Sequence, residues 1–440
     1  MPRFDPQWRT KYASQLCSPA EAVGVIEPGQ TVFTGTFTST PPGLCAALAA
    51  RAGELSGITV VHALQPFQWD KPEILAHYRV ISGFASPLDR PAARAGRFDY
   101  MPVIQWRDGT LPPGLQADVA LIPVTPPDED GWCSFGAAVF FGDAAAHTIP
   151  TLLGEIHPEF IRTHGAKVHI SKFARLTEYT AQASPPVIPP RSEETEIAAN
   201  IICTLVANEI VYDTCTLQFG IGDVSAALPI FLEERHGLGV HTELLPGGIP
   251  NLMERGVITN KHKAVHAGKV IASAAAQLTR EELAYIDDNP LFEFHDFSHT
   301  DDLRYLLQLE NFVAVNNALA IDISGNVDAE TMGAQIFSGP GGQSAFAIAA
   351  STAAGGSVTV LPSSSLVNGV RHSRIMAGFE PGTQITVNRG YVDYVVTEQG
   401  IAKLRGKTLR QRAAELISVA HPDFRAELRK ETARIYGINV

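Results

Sequence analysis

Segments typical of strands alternate with segments typical of helices along most of this chain, and this alternation constrains the fold more than any other feature. In the first half, the runs TVFTGT, GITVVHAL and ADVALIPVTPP predict strands, and LCAALAARAGEL predicts a helix between the first two. Strands that alternate with helices build mainly parallel sheets covered by helices on both faces. The sequence therefore predicts an α/β fold.

The second half repeats this style without a fixed-period repeat. SEETEIAANIICTLVANEI and DVSAALPIFLEER predict helices, and the tail from TLRQRAAEL onward predicts terminal helices. CTLQFGIG, LGVHTELLPGG, FVAVNNALAID, SVTVLP, QITVNRG and YVDYVVTEQ predict strands. This pattern predicts a second α/β unit in the second half of the chain.

A chain of 440 residues is too long for one ordinary core, so two domains are expected. The segment ASPPVIPPRSEE is rich in proline and then charged, as linkers often are. We predict Rossmann-like α/β domains at residues 1–185 and 195–440, a Pro-rich linker at 186–194, and an active site in the cleft between the domains.

Composition narrows the class of protein. The net charge of −12 argues against affinity for nucleic acid or anionic membranes, and no run approaches the roughly 18 apolar residues of a membrane helix. The N-terminus lacks the apolar core of a secretory signal. The five cysteines are scattered without a C-x-x-C pair, which argues against zinc ribbons and thioredoxin chemistry. We expect a soluble cytoplasmic protein with reduced thiols.

The first candidate site is LQFGIGDV, residues 217–224, a strand that ends in a glycine turn before a helix. Such a turn lets a ligand approach the backbone closely, although glycines also serve tight turns alone. Glu243 follows about twenty residues later, where a dinucleotide-binding domain places its ribose-binding acid. Ser225 stands where that fingerprint has Gly or Ala, which weakens the nicotinamide alternative.

The second candidate site is HTELLPGG, residues 241–248, at a predicted strand end. Open α/β sheets place ligands there, and apolar neighbours raise the basicity of a carboxylate such as Glu243. A surface glutamate beside a turn is the alternative. His241 is expected on the same side of the strand as Glu243, either to orient it or as a structural histidine.

The third candidate site is SGPGGQ, residues 338–343, which precedes the helical pattern AFAIAASTAA. A glycine-rich loop leading into a helix can direct backbone N–H groups at a developing oxyanion, and a flexible connector is the alternative.

Together these motifs resemble the acetyl-CoA hydrolase/transferase family, which includes 4-hydroxybutyrate and acetate CoA-transferases. The resemblance covers nearly the whole chain, and its segments occur in order: ADVALIPVTPPDEDGWCSFG, HPEFIRTHG, LQFGIGDV, HTELLPGGIPNLMERGVITN, SGPGGQ, YVDYVVTEQGIAKLRGK and ISVAHPDFRAEL. A lone glycine motif has no such specificity.

The resemblance implies a covalent mechanism in which Glu243 attacks an acyl thioester and carries CoA as a glutamyl thioester. It implies CoA contacts from the first glycine turn and the second loop, namely Gly220, Ile221, Gly222, Asp223, Val224, Gly341 and Gly342. The N–H groups of Gly341 and Gly342 are candidates for an oxyanion hole, and His241 and Gln343 are possible orienting side chains.

Two departures from the family pattern affect the pocket. The stretch LPSSSL, residues 361–366, lacks the lysine that the family commonly has, and AFAIA, residues 345–349, lacks both charges of the usual D-F-x-R-G. For the phosphates of CoA the sequence offers Lys261, Lys263, Lys269, Arg371 and Arg374, each of which also fits a solvated surface charge.

The expected activity is exchange of CoA between an acyl-CoA and a short-chain carboxylate, with acetate, butyrate, 4-hydroxybutyrate, succinate and itaconate all open. An acyl-CoA hydrolase using Glu243, an NAD(P)-dependent oxidoreductase and a CoA-sensing relative without turnover are the alternatives. The resemblance implies CoA as substrate, no permanently bound cofactor, no metal, and a homodimer or homotetramer.

Overall fold

The first half of the chain forms ten strands and six helices in the described region. The computed structural model describes residues 4–103, 111, 113–179 and 192–440. The strands are β1 (Thr31–Thr36), β2 (Ile58–Ala63), β3 (Tyr78–Ser82), β4 (Asp99–Tyr100), β5 (Val119–Val124), β6 (Trp132–Ser134), β7 (Thr151–Ile156), β8 (His164–Gly165), β9 (Lys167–His169) and β10 (Phe173–Glu178). The helices are α1 (Trp8–Lys11), α2 (Pro19–Val23), α3 (Pro42–Ala50), α4 (Pro72–Leu75), α5 (Arg90–Arg94) and α6 (Gly142–Thr148).

Seven of these strands form one parallel sheet in the order β10-β7-β5-β1-β2-β3-β4. The interior strand β5 is buried along its whole length, as expected for a parallel strand covered on both faces. The predicted strand TVFTGT coincides with β1, and the helix predicted at residues 44–55 is α3, which ends at Ala50.

The second half forms a further α/β unit in the described region. Its helices are α7 (Glu193–Glu209), α8 (Asp223–Ala227), α9 (Ile249–Glu254), α10 (Arg280–Ile286), α11 (Phe297–Thr300), α12 (Leu303–Leu306), α13 (Gln343–Thr352), α14 (Leu409–Ser418) and α15 (Arg425–Tyr436). Its strands are β11 (Thr216–Phe219), β12 (Gly239–Val240), β13 (Leu244–Leu245), β14 (Val270–Ala272), β15 (Ala274–Ala275), β16 (Phe292–Phe294), β17 (Phe312–Asn317), β18 (Ala320–Asp322), β19 (Val327–Asp328), β20 (Thr331–Met332), β21 (Gln335–Ile336), β22 (Gly356–Val360), β23 (Ser364–Val367), β24 (Val370–Ser373), β25 (Ile375–Met376), β26 (Tyr394–Thr397) and β27 (Gly400–Lys403).

The main sheet of this half has the order β12-β11-β17-β22-β26-β27 and is parallel except for the β26–β27 pair. Mainly parallel sheets with helices between their strands in both halves confirm the predicted α/β fold. The long helix α7 buries Ala198, Ala199, Ile202, Cys203, Val206 and Ala207, the spacing of one helical face.

The two halves are joined by more than the connecting chain. Strand β8 of the first half pairs in parallel with β16, which also pairs with β14. The backbone of Val139 donates to Ser273, and Ala275 donates to Ala137. Most of the predicted linker lies outside the described residues, and α7 begins at Glu193, inside the predicted linker range.

Four predicted elements differ in the structure. The strand predicted over FVAVNNALAID is two strands, β17 and β18, in different sheets. The helix predicted over DVSAALPIFLEER ends at Ala227 and continues as a 3₁₀ turn, because Pro229 cannot donate to a preceding carbonyl. The strand predicted over LGVHTELLPGG is two short strands, β12 and β13, in different sheets. The strand predicted over QITVNRG is wrong: only Val387 makes a bridge there, to Val327.

Among the described residues, no helix combines the length and apolar character that crossing a bilayer demands.

Candidate functional site

Glu243 lies in the break between β12 and β13. Its backbone carbonyl accepts hydrogen bonds from the N–H groups of Ser273 and Ala274, at 2.9 and 3.0 Å. The preceding Thr242 hydroxyl donates to the carbonyl of Phe219 at the end of β11, at 3.0 Å. These contacts fix the backbone of Glu243 beside the carboxyl end of β11, where parallel sheets place their ligands.

The second glycine loop lies directly against this carboxylate. The N–H of Gly342 donates to Oε2 of Glu243 at 3.0 Å. A β-carbon built on Gly342 would lie 2.6 Å from Oε2 of Glu243 and closer still to Oδ2 of Asp301. Glycine is therefore required here so that the backbone can approach two carboxyl groups.

A segment of the first half holds this loop in place. The N–H of Ala85 donates to the carbonyl of Ser338 at 3.1 Å, and a β-carbon on Gly339 would meet Phe84 and Gly83 within 2.9 Å. Gly341 has φ +53, a backbone conformation that favours glycine. Both halves of the chain thus shape the surroundings of Glu243.

Burial controls the ionisation of Glu243. The side chain is only 9% exposed, and burial raises its pKa to about 7, although the hydrogen bond from Gly342 favours the carboxylate. A carboxylate with this pKa is more basic, and therefore a better nucleophile, than one in water.

Asp301 is the residue of this site that the sequence analysis missed. It is fully buried; the hydroxyl of Thr300 donates to its Oδ1 at 2.9 Å, whereas Oδ2 has no hydrogen-bond partner among the described residues. Burial, and then the nearby Glu243, raise the pKa of Asp301 well above its usual value. It lies in HDFSHTDD, which matches no motif, and only its place after the strand β16 could have drawn attention to it.

The first glycine turn, predicted to contact CoA, connects β11 with α8. It comprises Gly220, Ile221, Gly222, Asp223 and Val224, with φ +142 at Gly222.

Packing already explains both glycines of this turn. A β-carbon on either would come within 2.5 Å of a side chain at the end of β17, Asn316 in one case and Asn317 in the other. Ser225 anchors the short helix by donating to the carbonyl of Val315 at 3.2 Å. The turn lies at the same sheet end as Glu243, and its contact with CoA stays a prediction.

The two possible orienting residues make other contacts in the structure. Nε2 of His241 lies 2.9 Å from the carbonyl of Thr300, so it carries the proton and donates. Burial lowers the pKa of this histidine well below its usual value, which keeps the ring neutral. Nε2 of Gln343 donates to the carbonyl of Asn317 at 3.3 Å. His241 thus supports the residue next to Asp301.

Three of the cations offered for the CoA phosphates have protein partners. Nζ of Lys263 is buried and donates to the carbonyls of Val240 and Lys269 at 2.8 Å. Lys269 itself pairs with Glu293, and Arg371 pairs with Glu194. These contacts support structural roles for the three side chains.

No group of three or more His, Cys, Asp or Glu side chains in the described ranges is arranged to hold a metal ion.

Known proteins resemble this chain along nearly its whole length. The profile of the acetyl-CoA hydrolase/transferase C-terminal domain matches residues 279–432. The 4-hydroxybutyrate coenzyme A transferase of Clostridium kluyveri is 32% identical over 97% of this chain and 99% of its own. The succinyl-CoA:cyclohexane-1-carboxylate CoA transferase of Geobacter metallireducens is 32% identical over 98% of both chains.

Solved structures agree with these sequence relatives. RipA from Yersinia pestis superposes with a TM-score of 0.88 at 27% identity, covering 98% of this chain and 100% of its own. A 4-hydroxybutyrate CoA-transferase from Porphyromonas gingivalis gives 0.75 at 28% identity with the same coverage.

Proposed function

The chain belongs to the acetyl-CoA hydrolase/transferase family, and from this membership we propose that it exchanges CoA between an acyl-CoA and a short-chain carboxylate through a covalent intermediate on Glu243. The observation that carries the proposal is the buried carboxylate of Glu243 held on the N–H of Gly342. The transferase names of the relatives that match most of the chain support the reaction class. We further propose that residues 1–185 and 195–440 act as two domains around this site.

The proposed reaction uses Glu243 twice as a carrier. Its carboxylate attacks the thioester carbonyl, the C–S bond breaks, and a mixed anhydride and CoA thiolate form. The thiolate then attacks the glutamyl carbonyl and releases the first acid as a carboxylate, which leaves a glutamyl-CoA thioester. The second carboxylate repeats these steps in reverse, so that Glu243 is regenerated and a new acyl-CoA leaves.

The hydrogen bond from Gly342 suits the steps at the glutamyl carbonyl. When thiolate or carboxylate attacks that carbon, negative charge develops on Oε2 of Glu243, the atom on which the N–H of Gly342 already lies at 3.0 Å. A donor in place before charge develops stabilises the transition state without reorganisation. Oε1 is then the oxygen that attacks the incoming acyl group.

CoA binding is proposed for the two glycine segments. Backbone groups at Gly220–Val224 and at Gly341 and Gly342 would contact the CoA portion and use its binding energy to orient the thioester against Glu243. The exposed side chain of Ile221 leaves the first turn accessible from solvent.

Hydrolysis is the second candidate activity, because the acetyl-CoA hydrolase of Yarrowia lipolytica is 24% identical over 71% of this chain. In that case water would attack the glutamyl thioester. Product analysis with butyryl-CoA, in the presence and absence of excess acetate, separates the two. Transfer predicts acetyl-CoA formation that depends on acetate, and hydrolysis predicts free CoA at the same rate in both.

A trapping experiment tests the covalent intermediate. The protein is incubated with acetyl-CoA or butyryl-CoA, treated with borohydride and digested. We expect reduction of the glutamyl thioester to an alcohol, seen by mass spectrometry only in the peptide that contains Glu243. Acyl-CoA-dependent turnover without this modification, or modification of another side chain, contradicts the proposal.

The pH dependence of transfer follows from the ionisation of Glu243. Its folded pKa of about 7 lies above the usual 4.5, and only the carboxylate attacks. We therefore expect kcat/KM to rise about tenfold per pH unit up to roughly pH 7. Initial rates at subsaturating acyl-CoA, recorded across this pH range, measure the rise in kcat/KM. Full activity down to pH 5 would show that Glu243 is ionised in the free enzyme far below that value.

A further inference from the structure

We propose that Asp301 holds a proton in the active enzyme and donates it to Oε2 of Glu243, so that the two carboxyl groups together carry one negative charge. This inference rests on the proposed role of Glu243 as nucleophile. It makes Asp301 a further catalytic residue, one that donates to a reacting oxygen of Glu243.

The carboxyl groups of Glu243 and Asp301 both lie against the backbone of Gly342. The position that a β-carbon on Gly342 would take lies within 2.6 Å of both Oε2 of Glu243 and Oδ2 of Asp301. Oδ1 of Asp301 already accepts the hydroxyl of Thr300, whereas Oδ2 is buried without a partner among the described residues. A proton on Oδ2 would turn this unsatisfied oxygen into a donor on the same side of Gly342 as Oε2 of Glu243.

The charges around the pair favour one shared proton. Two neighbouring buried carboxyl groups do not readily both ionise near neutral pH, and the charge of Glu243, together with burial, raises the pKa of Asp301. Asp301 is the more deeply buried, and Glu243 has a backbone donor that favours its anion, so the proton belongs on Asp301.

Among the described titratable groups near Asp301, only Lys263 can be cationic near neutral pH, and its Nζ donates to two backbone carbonyls rather than to Asp301. Those facing Asp301 or its neighbours are Asp296, His241, His266, His299 and Lys263. Asp296 caps α11, accepting the N–H of Ser298, and is itself a buried acid whose pKa is raised to about 7. Burial lowers the pKa of His299 to about 3 and that of Lys263 to about 7.

The proton has a defined use in the reaction. As charge develops on Oε2 of Glu243, the N–H of Gly342 and the O–H of Asp301 both donate to it, and the proton remains on Asp301 throughout. At alkaline pH Asp301 loses the proton, the second donor disappears, and a second negative charge repels the incoming carboxylate. The proposal therefore requires an alkaline limb in the pH profile.

The test compares Asp301→Asn with Asp301→Ala. An amide donates to Oε2 but does not titrate, so Asp301→Asn is expected to lose about tenfold at most in kcat and to lack the alkaline limb, while Asp301→Ala loses about 10²-fold or more. Thermal melts of both variants establish that they are folded. An alkaline limb that persists in Asp301→Asn, or equal losses in the two variants, overturns the proposal.

Infrared spectroscopy gives a second test, which requires neither turnover nor a folded Asp301 variant. The protein is labelled with ¹³C-aspartate and measured at neutral pH. We expect the C=O band of a protonated aspartate, and we expect this band to remain in Asp296→Asn. Absence of this band overturns the proposal for Asp301. Loss of borohydride trapping at Glu243 would instead overturn the proposed function, so the two failures are distinguishable.

Discussion

Glu243→Gln is expected to remove CoA transfer almost completely while the protein stays folded. The amide cannot attack a thioester, but its oxygen can still accept the hydrogen bond from Gly342. Loss of the nucleophile in a covalent mechanism costs on the order of 10⁴-fold or more in kcat. Steady-state rates with butyryl-CoA and acetate measure the effect.

Glu243→Gln lowers the rate of transfer but is expected to keep or raise the stability of the fold. Because the folded pKa of Glu243 lies near 7, above its unfolded value, the favourable contribution of the protonated acid is lost as pH rises through 7. At pH 8 a neutral glutamine therefore removes an unfavourable buried charge, and the melting temperature is expected to equal or exceed that of the original protein. Glu254→Gln, an exposed change on the neighbouring helix α9, is the matched control. Transfer at the original rate in Glu243→Gln would exclude the proposed mechanism.

Gly342→Ala is expected to lower kcat/KM by about 10²-fold or more. The backbone at this position, φ −83, accepts alanine without strain, so the effect arises from the methyl group alone. That methyl would meet Oε2 of Glu243 at 2.6 Å and Phe346 at 2.8 Å, and must push the carboxylate from its place. A displacement of about 1 Å at a reacting group costs roughly this factor.

Gly53→Ala is the control for this substitution. No heavy atom lies within 4 Å of its would-be β-carbon, so the same change there should leave the rate unaltered. Overpacking at Gly342 is also expected to destabilise the fold by about 1–3 kcal/mol, which denaturant unfolding measures. An unimpaired Gly342→Ala enzyme would show that the close approach of the loop to Glu243 is not needed for turnover.

The elements with clear periodicity were predicted well from sequence. The run TVFTGT coincides with β1, and the helix α7 differs from its predicted range by one residue at each end. The errors occur where tertiary contacts override local pattern. The segment LGVHTELLPGG predicts one strand that ends in a turn, but the chain leaves the sheet between β12 and β13, and Glu243 accepts the hydrogen bond from Gly342 there.

The candidate site was predicted in part. Glu243 and the second glycine loop were named from their motifs, and the structure brings them into contact. Asp301 could not be found in this way, because aspartate is usually exposed and its position near Gly342 and Glu243 joins segments far apart in sequence. His241 was expected beside Glu243, but its ring contacts the carbonyl of Thr300, a partner that no local pattern reveals.

The parallel pairing of β8 with β16 limits how this chain can be divided or recombined. A fragment ending before residue 192 would leave β8 without its partner, and the complementary fragment would expose the free edge of β16. Exposed strand edges invite aggregation. The two halves are therefore not interchangeable modules. A divided or recombined chain would have to keep β8 together with the second half, where its partner β16 lies.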